Sequence, residues 1–142
     1  MTIDKQSSSA IAFRLDPSSG VPTYQQIVRQ VEDALRLGYL APGDQLPKVK
    51  DVVASLAINP NTVLKAYREL EHKGLAAGRP GQGTFVEGGL DVVPLRDMQA
   101  LRRRLVRWLG DAADAGLDDE SVTALISNAR HDVHASKRMT AS

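Results

Sequence analysis

Cysteine is absent from all 142 residues, which excludes disulfide frameworks and thiolate metal sites and fits a reducing compartment. Aromatic residues make up only 4%, so the core that a hydrophobic content of 42% allows must be aliphatic. No apolar run approaches the roughly 20 residues that span a bilayer, and the polar opening Thr2 to Ser9 lacks a signal peptide's hydrophobic segment. These absences predict a cytoplasmic protein with no membrane partner. A surplus of one charge is missing too: at net +1, any affinity for nucleic acid must come from locally placed cations. The length suits one ordinary domain plus a small appendage, with no room for a large catalytic domain.

What is present is a succession of short periodic segments. Residues 1–10 are polar and Ser-rich and predict a disordered start. Ile11, Phe13 and Leu15 alternate up to the turn-forming Asp16 to Gly20, the period of a short strand. Tyr24, Ile27, Val28, Val31 and Leu35 recur at helical spacing, with Thr23 and Gln26 placed as a capping box and Gly38 as the stop. Val49, Val52, Val53 and Leu56 form the apolar stripe of a second helix just after Pro47. The chain turns at Ala57 and Ile58. Asn59 is then placed to cap a third helix, and Pro60 suits its first position, where no donor is needed. Val63, Ala66, Tyr67 and Leu70 are that helix's inward stripe, and Gly74 with Leu75 ends it. Two short helices so closely joined make a helix-turn-helix. Leu75 to Arg79 and Thr84 to Glu87 flank Pro80-Gly81-Gln82-Gly83, the pattern of a hairpin, or wing.

Three runs carry a family resemblance: Leu46-Pro-Lys-Val-Lys50, Asn59-Pro-Asn-Thr-Val-Leu-Lys-Ala-Tyr67 and Gly78-Arg-Pro-Gly-Gln-Gly-Thr-Phe-Val86. In this order and spacing they resemble the winged helix-turn-helix of the GntR family of bacterial transcription regulators. The Asn-Pro-Asn-Thr-Val-x-Lys-Ala-Tyr run and the short C-terminal region are similar to its YtrA-like subfamily. The resemblance extends continuously over roughly 22 to 86. It implies a DNA-binding regulator without the larger effector domain of other relatives, and family members often govern transporter genes. The family usually carries Ser and Arg where Lys48 and Lys50 stand here, and Lys lacks the fork that lets Arg grip guanine with two hydrogen bonds.

Beyond Glu87-Gly88-Gly89-Leu90, a candidate boundary, Leu95, Met98, Leu101, Leu105, Trp108, Leu109 and Ala112 predict an amphipathic helix with Arg102, Arg103, Arg104 and Arg107 on its exterior. Gly116 and Leu117 look like its end. Asp118 is placed to cap a last helix carrying Val122, Leu125, Ile126, Ala129 and Val133, with Asp119 and Glu120 where the helix dipole favours negative charge. The polar residues from Ser136 predict a flexible tail. Two such helices find too little partner surface in one small chain, so Met98, Leu101, Leu105, Trp108, Leu109, Val122, Leu125 and Ile126 are expected to pack against a second copy.

The expected fold is therefore mainly α with a small β-hairpin: a winged helix-turn-helix over 11–89, a two-helix dimerisation region over 90–135 and a tail over 136–142. The start of a recognition helix lies over base edges in a major groove. Asn59, Asn61, Thr62 and Lys65 occupy that start; Asn59 doubles as a cap, Asn61 and Thr62 suit bases, and Lys65 suits a phosphate or a guanine. Lys48 and Lys50 oppose their own helix's dipole, a cost that vanishes beside a phosphate, and Lys50 is also a candidate to read a base beside Asn61 and Thr62. Arg79, Gly81, Gln82 and Gly83 form a wing tip able to approach a minor groove. His131 and His134 share a helix face but lack a third ligand at metal-binding spacing, and no nucleophile grouping stands out, so neither metal, cofactor nor enzyme activity is expected.

The leading reading is a homodimeric repressor binding a short inverted repeat in double-stranded operator DNA, with any small-molecule effector unknown. The alternative is a winged helix that docks on a protein and does not bind DNA. A third reading, an enzyme-fused regulator of the MocR-like type, requires several hundred further residues.

Overall fold

A computed structural model describes residues 11–88 and 95–141. Helices α1 (Thr23–Arg36), α2 (Val49–Leu56) and α3 (Pro60–His72) precede strands β1 (Ala76–Arg79) and β2 (Gly83–Val86), and α4 (Leu95–Asp114) and α5 (Asp119–Ala141) close the chain. It divides into two compact units between Met98 and Gln99. The expected disordered start and the expected boundary at Gly89 and Leu90 lie outside the described residues.

In the N-terminal unit, α1 and α2 both pack on α3, which also meets β1. Ile27, Val31 and Leu35 of α1, Leu46 of the connector, Val63 and Leu70 of α3 and Val86 of β2 are almost fully enclosed. Each side chain of this kind contributes about 1.5–3 kcal/mol on burial. The expected stripe of α3 is buried throughout, whereas α2 buries only Val52 completely and rests Val49, Val53 and Leu56 against the same core. Between these helices Ala57 takes a left-handed conformation (φ 56°), and its N–H bonds to the Val53 carbonyl at 2.8 Å. That single residue closes α2 and frees the chain to restart at Asn59.

The wing pairs Ala76 with Val86, Ala77 with Phe85, Gly78 with Thr84 and Arg79 with Gly83, antiparallel. It is also moored on its other side. Connector residues run alongside β2, with Gly43 N–H to Val86 O at 2.9 Å, Val86 N–H to Asp44 O at 2.8 Å and Leu46 N–H to Thr84 O at 2.8 Å. A two-stranded ribbon alone is marginal in water; this third line of backbone bonds fixes it to the helices.

Three expectations need correction. Residues 11–15 form no strand, although Phe13 is buried and Ile11 packs on the core. The backbone of Arg14 bonds instead to the Gln30 side chain, N–H to Oε1 at 2.9 Å and O from Nε2 at 2.6 Å, so a helix amide replaces a neighbouring strand. The Thr23–Gln26 capping box does not form, because Thr23 is already helical and Pro22 is the cap. Gln26 uses its amide to clasp the preceding turn, accepting from Asp16 N–H at 2.8 Å and donating to Val21 O at 2.9 Å. The tail expected from Ser136 is helical through Ala141. That segment contains neither Gly nor Pro, so nothing in it breaks the helix.

In the C-terminal unit the expected punctuation is present. Gly116 has φ 95°, and Leu117 N–H reaches back to Ala112 O at 3.0 Å. Asp118 Oδ1 accepts the Ser121 N–H at 2.8 Å, opening α5. Among the described residues of this unit the buried hydrophobic residue is Ala112, whereas Leu101, Leu105, Val106, Trp108, Leu109, Leu125 and Val133 are 37–53% exposed. Met98, Val122 and Ile126 are half-buried. Among the described residues no helix is long and apolar enough to cross a membrane.

Candidate nucleic-acid interface

With Val63, Ala66, Tyr67 and Leu70 committed to the core, α3 turns Asn61, Leu64, Lys65 and Arg68 outward, and Thr62 is half-buried beside them. Asn59 acts as the helix cap: its Oδ1 accepts the Asn61 N–H at 2.8 Å, while its carbonyl accepts from Thr62 N–H at 3.0 Å. One end of the Asn59 amide is thus occupied, whereas the exposed Asn61 side chain has no capping duty. An amide and a hydroxyl on one helical turn can offer the paired donors and acceptors that a base edge requires.

On one flank of α3, a cleft of about 670 Å³ separates the start of α2 from the wing and is lined by Pro47, Lys48, Val49, Lys50, Tyr67 and residues 78–84. Lys48 caps α2 and Lys50 lies in its first turn. Arg79 brings a third cation, its guanidinium carbon 4.1 Å from the centre of the Phe85 ring. None of the described lining residues is acidic, so the walls carry positive charge in a chain with little to spare. The Tyr67 hydroxyl donates to the Pro47 carbonyl at 2.5 Å, and burial pushes its pKa far up, so it stays protonated and keeps that bond. Gln45 Nε2 donates to Gln82 O at 2.9 Å and fastens the wing tip. Gly83 is required there: its φ is +125°, and a Cβ would stand 2.6 Å from Gln45 Nε2.

On the other flank a second cleft, about 430 Å³, is lined by Thr23, Tyr24, Asn59, Asn61, Thr62 and Lys65. Lys65 Nζ sits 4.2 Å from the centre of the Tyr24 ring. The structure thus groups Asn59, Asn61, Thr62 and Lys65 on one side, and Lys48, Lys50, Arg79, Gly81, Gln82 and Gly83 on the other.

The family model described as "Bacterial regulatory proteins, gntR family" matches residues 23–86, which run from the start of α1 to the end of β2. The HTH-type transcriptional repressor YtrA of Bacillus subtilis is 33% identical over 127 residues, spanning 89% of this chain and 98% of that repressor. The chain belongs to the GntR family. Among solved structures, YtrA from Sulfolobus acidocaldarius, a GntR-family transcription factor, is 31% identical with a TM-score of 0.51, covering 69% of this chain and 97% of that one. A Listeria monocytogenes transcriptional antiterminator is 28% identical with a TM-score of 0.56, covering 88% and 94%. The Bacillus match extends beyond the winged helix, as the YtrA-like resemblance implies.

In this GntR-family chain, sequence reasoning missed residues that act through long-range contact. Thr23 read as half of a capping box and Tyr24 as the first position of the apolar stripe of α1; their place beside α3 has no signature in local spacing. Gln45 read as part of a connector, although its side chain fastens the wing tip. His131 and His134 are exposed on α5, and the described residues contain no group of three side chains able to hold a metal ion.

Proposed function

We propose that this GntR-family regulator is a repressor that binds a short inverted repeat in double-stranded DNA as a two-fold homodimer. The start of α3 enters the major groove, where Asn61 and Thr62 read bases, with Asn59 beside them serving chiefly as the cap. Lys48 and Lys50 hold the phosphate chain on one flank, and Arg79, Gly81, Gln82 and Gly83 lie at the minor groove. The observation that carries this reading is the outward face of α3 bordered by a cleft walled with Lys48, Lys50 and Arg79. Phosphate contacts set register and base contacts set preference.

The pairing of two copies rests on the C-terminal helices, whose large apolar residues remain exposed around a groove of about 490 Å³ lined by residues including Leu105, Trp108, Leu125 and Ile126. A second copy covering that surface would gain about 25 cal/mol for each Å² of apolar area buried. Two-fold pairing is the commonest closed arrangement and matches an inverted repeat. As a regulator of this kind, the protein acts on DNA in the cytoplasm.

Titration against the region upstream of its own gene, beside a shuffled duplex, tests the reading. Asn61→Ala is expected to relax sequence choice, costing about 1–3 kcal/mol of discrimination at one position. Lys48→Ala should weaken all sequences alike and lower the salt slope by about 0.9. Equal affinity of the unsubstituted protein for both duplexes at low salt would overturn the proposal.

A further inference from the structure

As a sequence position, Lys65 suits a phosphate or a guanine equally; the fold distinguishes the two. Its ammonium stands 4.2 Å from the centre of the Tyr24 ring, and Tyr24 is the second residue of α1. That ring is half-buried against the hydrophobic core, so it forms a fixed platform. A lysine on an open helix surface samples many rotamers, whereas one held on a ring face by the quadrupole of the aromatic system samples fewer. The contact draws Lys65 toward the start of α1.

Two helices begin at this place. Thr23 opens α1 with no side-chain cap, and Asn59 and Asn61 belong to the opening of α3. The first donors of α3 are already taken, Asn61 N–H by Asn59 Oδ1 and Thr62 N–H by the Asn59 carbonyl, so it is the positive ends of the two helix dipoles that favour an anion here. Lys65 adds a full charge to the cleft that these residues line, and none of the described lining residues is acidic.

We propose that Tyr24 is a positioning residue: its ring holds Lys65 at the cleft where α1 and α3 begin, so that Lys65 grips a backbone phosphate of DNA and not a base edge. This rests on the DNA-binding reading given above. Lys65 then supplies affinity and register and carries no sequence preference.

A double-mutant cycle on the full chain tests this, with Tyr24→Leu, Tyr24→Phe, Lys65→Ala and the Tyr24→Leu/Lys65→Ala pair. Affinity is measured across a salt series for the duplex that the unsubstituted protein selects from a random-sequence pool, and for a shuffled version of it. Lys65→Ala should weaken both duplexes by the same factor and lower the salt slope by about 0.9. Tyr24→Leu should weaken binding about threefold, Tyr24→Phe should leave it unchanged, and the pair should bind no more weakly than Lys65→Ala alone. Losses that multiply in the pair, a Tyr24→Phe loss equal to that of Tyr24→Leu, or relaxed base preference in Lys65→Ala would each overturn the proposal.

The free protein offers a measurement that needs no variant to fold. Ring current should move the Lys65 ε-methylene proton resonances upfield, and unshifted resonances would also sink the inference. Failure of the unsubstituted protein to select any sequence defeats the DNA-binding reading itself, whereas the resonance shift still reports the Tyr24 platform.

Discussion

The hydroxyl of Tyr67 in α3 donates to the carbonyl of Pro47, 20 residues earlier, at 2.5 Å. The bond ties α3 to the residue just before the cap of α2 and so sets where Lys48 and Lys50 stand relative to the outward face of α3. Tyr67→Phe removes the donor and strands a carbonyl in a site where the ring is only 4% exposed. The expected cost is about 1–3 kcal/mol in urea unfolding. An unchanged midpoint would show that water satisfies Pro47 equally well.

Asn59 separates folding from binding. Asn59→Ala removes the acceptor of the Asn61 N–H and should cost about 1 kcal/mol of stability. Asn59→Asp keeps the cap but sets a negative charge where DNA is expected, so its melting temperature should hold while its affinity falls. Equal affinity in Asn59→Asp and the unsubstituted protein would remove this end of α3 from the interface.

Gly83→Ala should damage the wing. The position has φ +125°, and a Cβ would stand 2.6 Å from Gln45 Nε2, the atom that bonds to Gln82 O. Backbone strain of this kind costs about 1–3 kcal/mol. Hydrogen exchange of the wing amides should accelerate, with the amides of α1 and α3 unaffected. Unaltered wing exchange would contradict the assigned role of Gln45.

Asp118 gives a pH signature. Hydrogen bonds from Ser121, side chain first and then backbone, hold its carboxyl below the usual aspartate value. A depressed folded-state pKa contributes stability that is complete above the unfolded value and is lost as pH falls through the folded one. The start of α5 should therefore fray below the ordinary aspartate range, while Asp118→Asn should remove this component of the acid response. Helicity followed by NMR at Ser121 checks it; identical acid profiles in the two proteins would exclude the cap as their source.

Leu105→Glu puts a charge into the apolar groove between α4 and α5, where Leu105 is 48% exposed in the single chain. If this face joins two copies, the variant should sediment as a monomer, keep the fold of the winged helix and lose affinity for an inverted repeat. A dimer that survives the substitution would place the subunit contact elsewhere.

Much of this architecture is local and was therefore legible in the chain. The stripes Val49 to Leu56 and Val63 to Leu70, the Asn59-Pro60 start, the Gly74 and Gly116 stops and the glycine turn of the wing depend on neighbours a few residues away. Spacing alone fixes them, because backbone geometry and capping chemistry act over one or two turns. The family motif likewise lies in contiguous residues. Only the tertiary structure decided that Gln30 replaces a strand partner for Arg14, that residues 43–46 moor the wing, and that Tyr24 meets Lys65. These pairings join residues far apart in sequence whose side chains give no periodic sign of one another, so the packing of α1 and α2 on α3 had to be in place before the clefts could be seen.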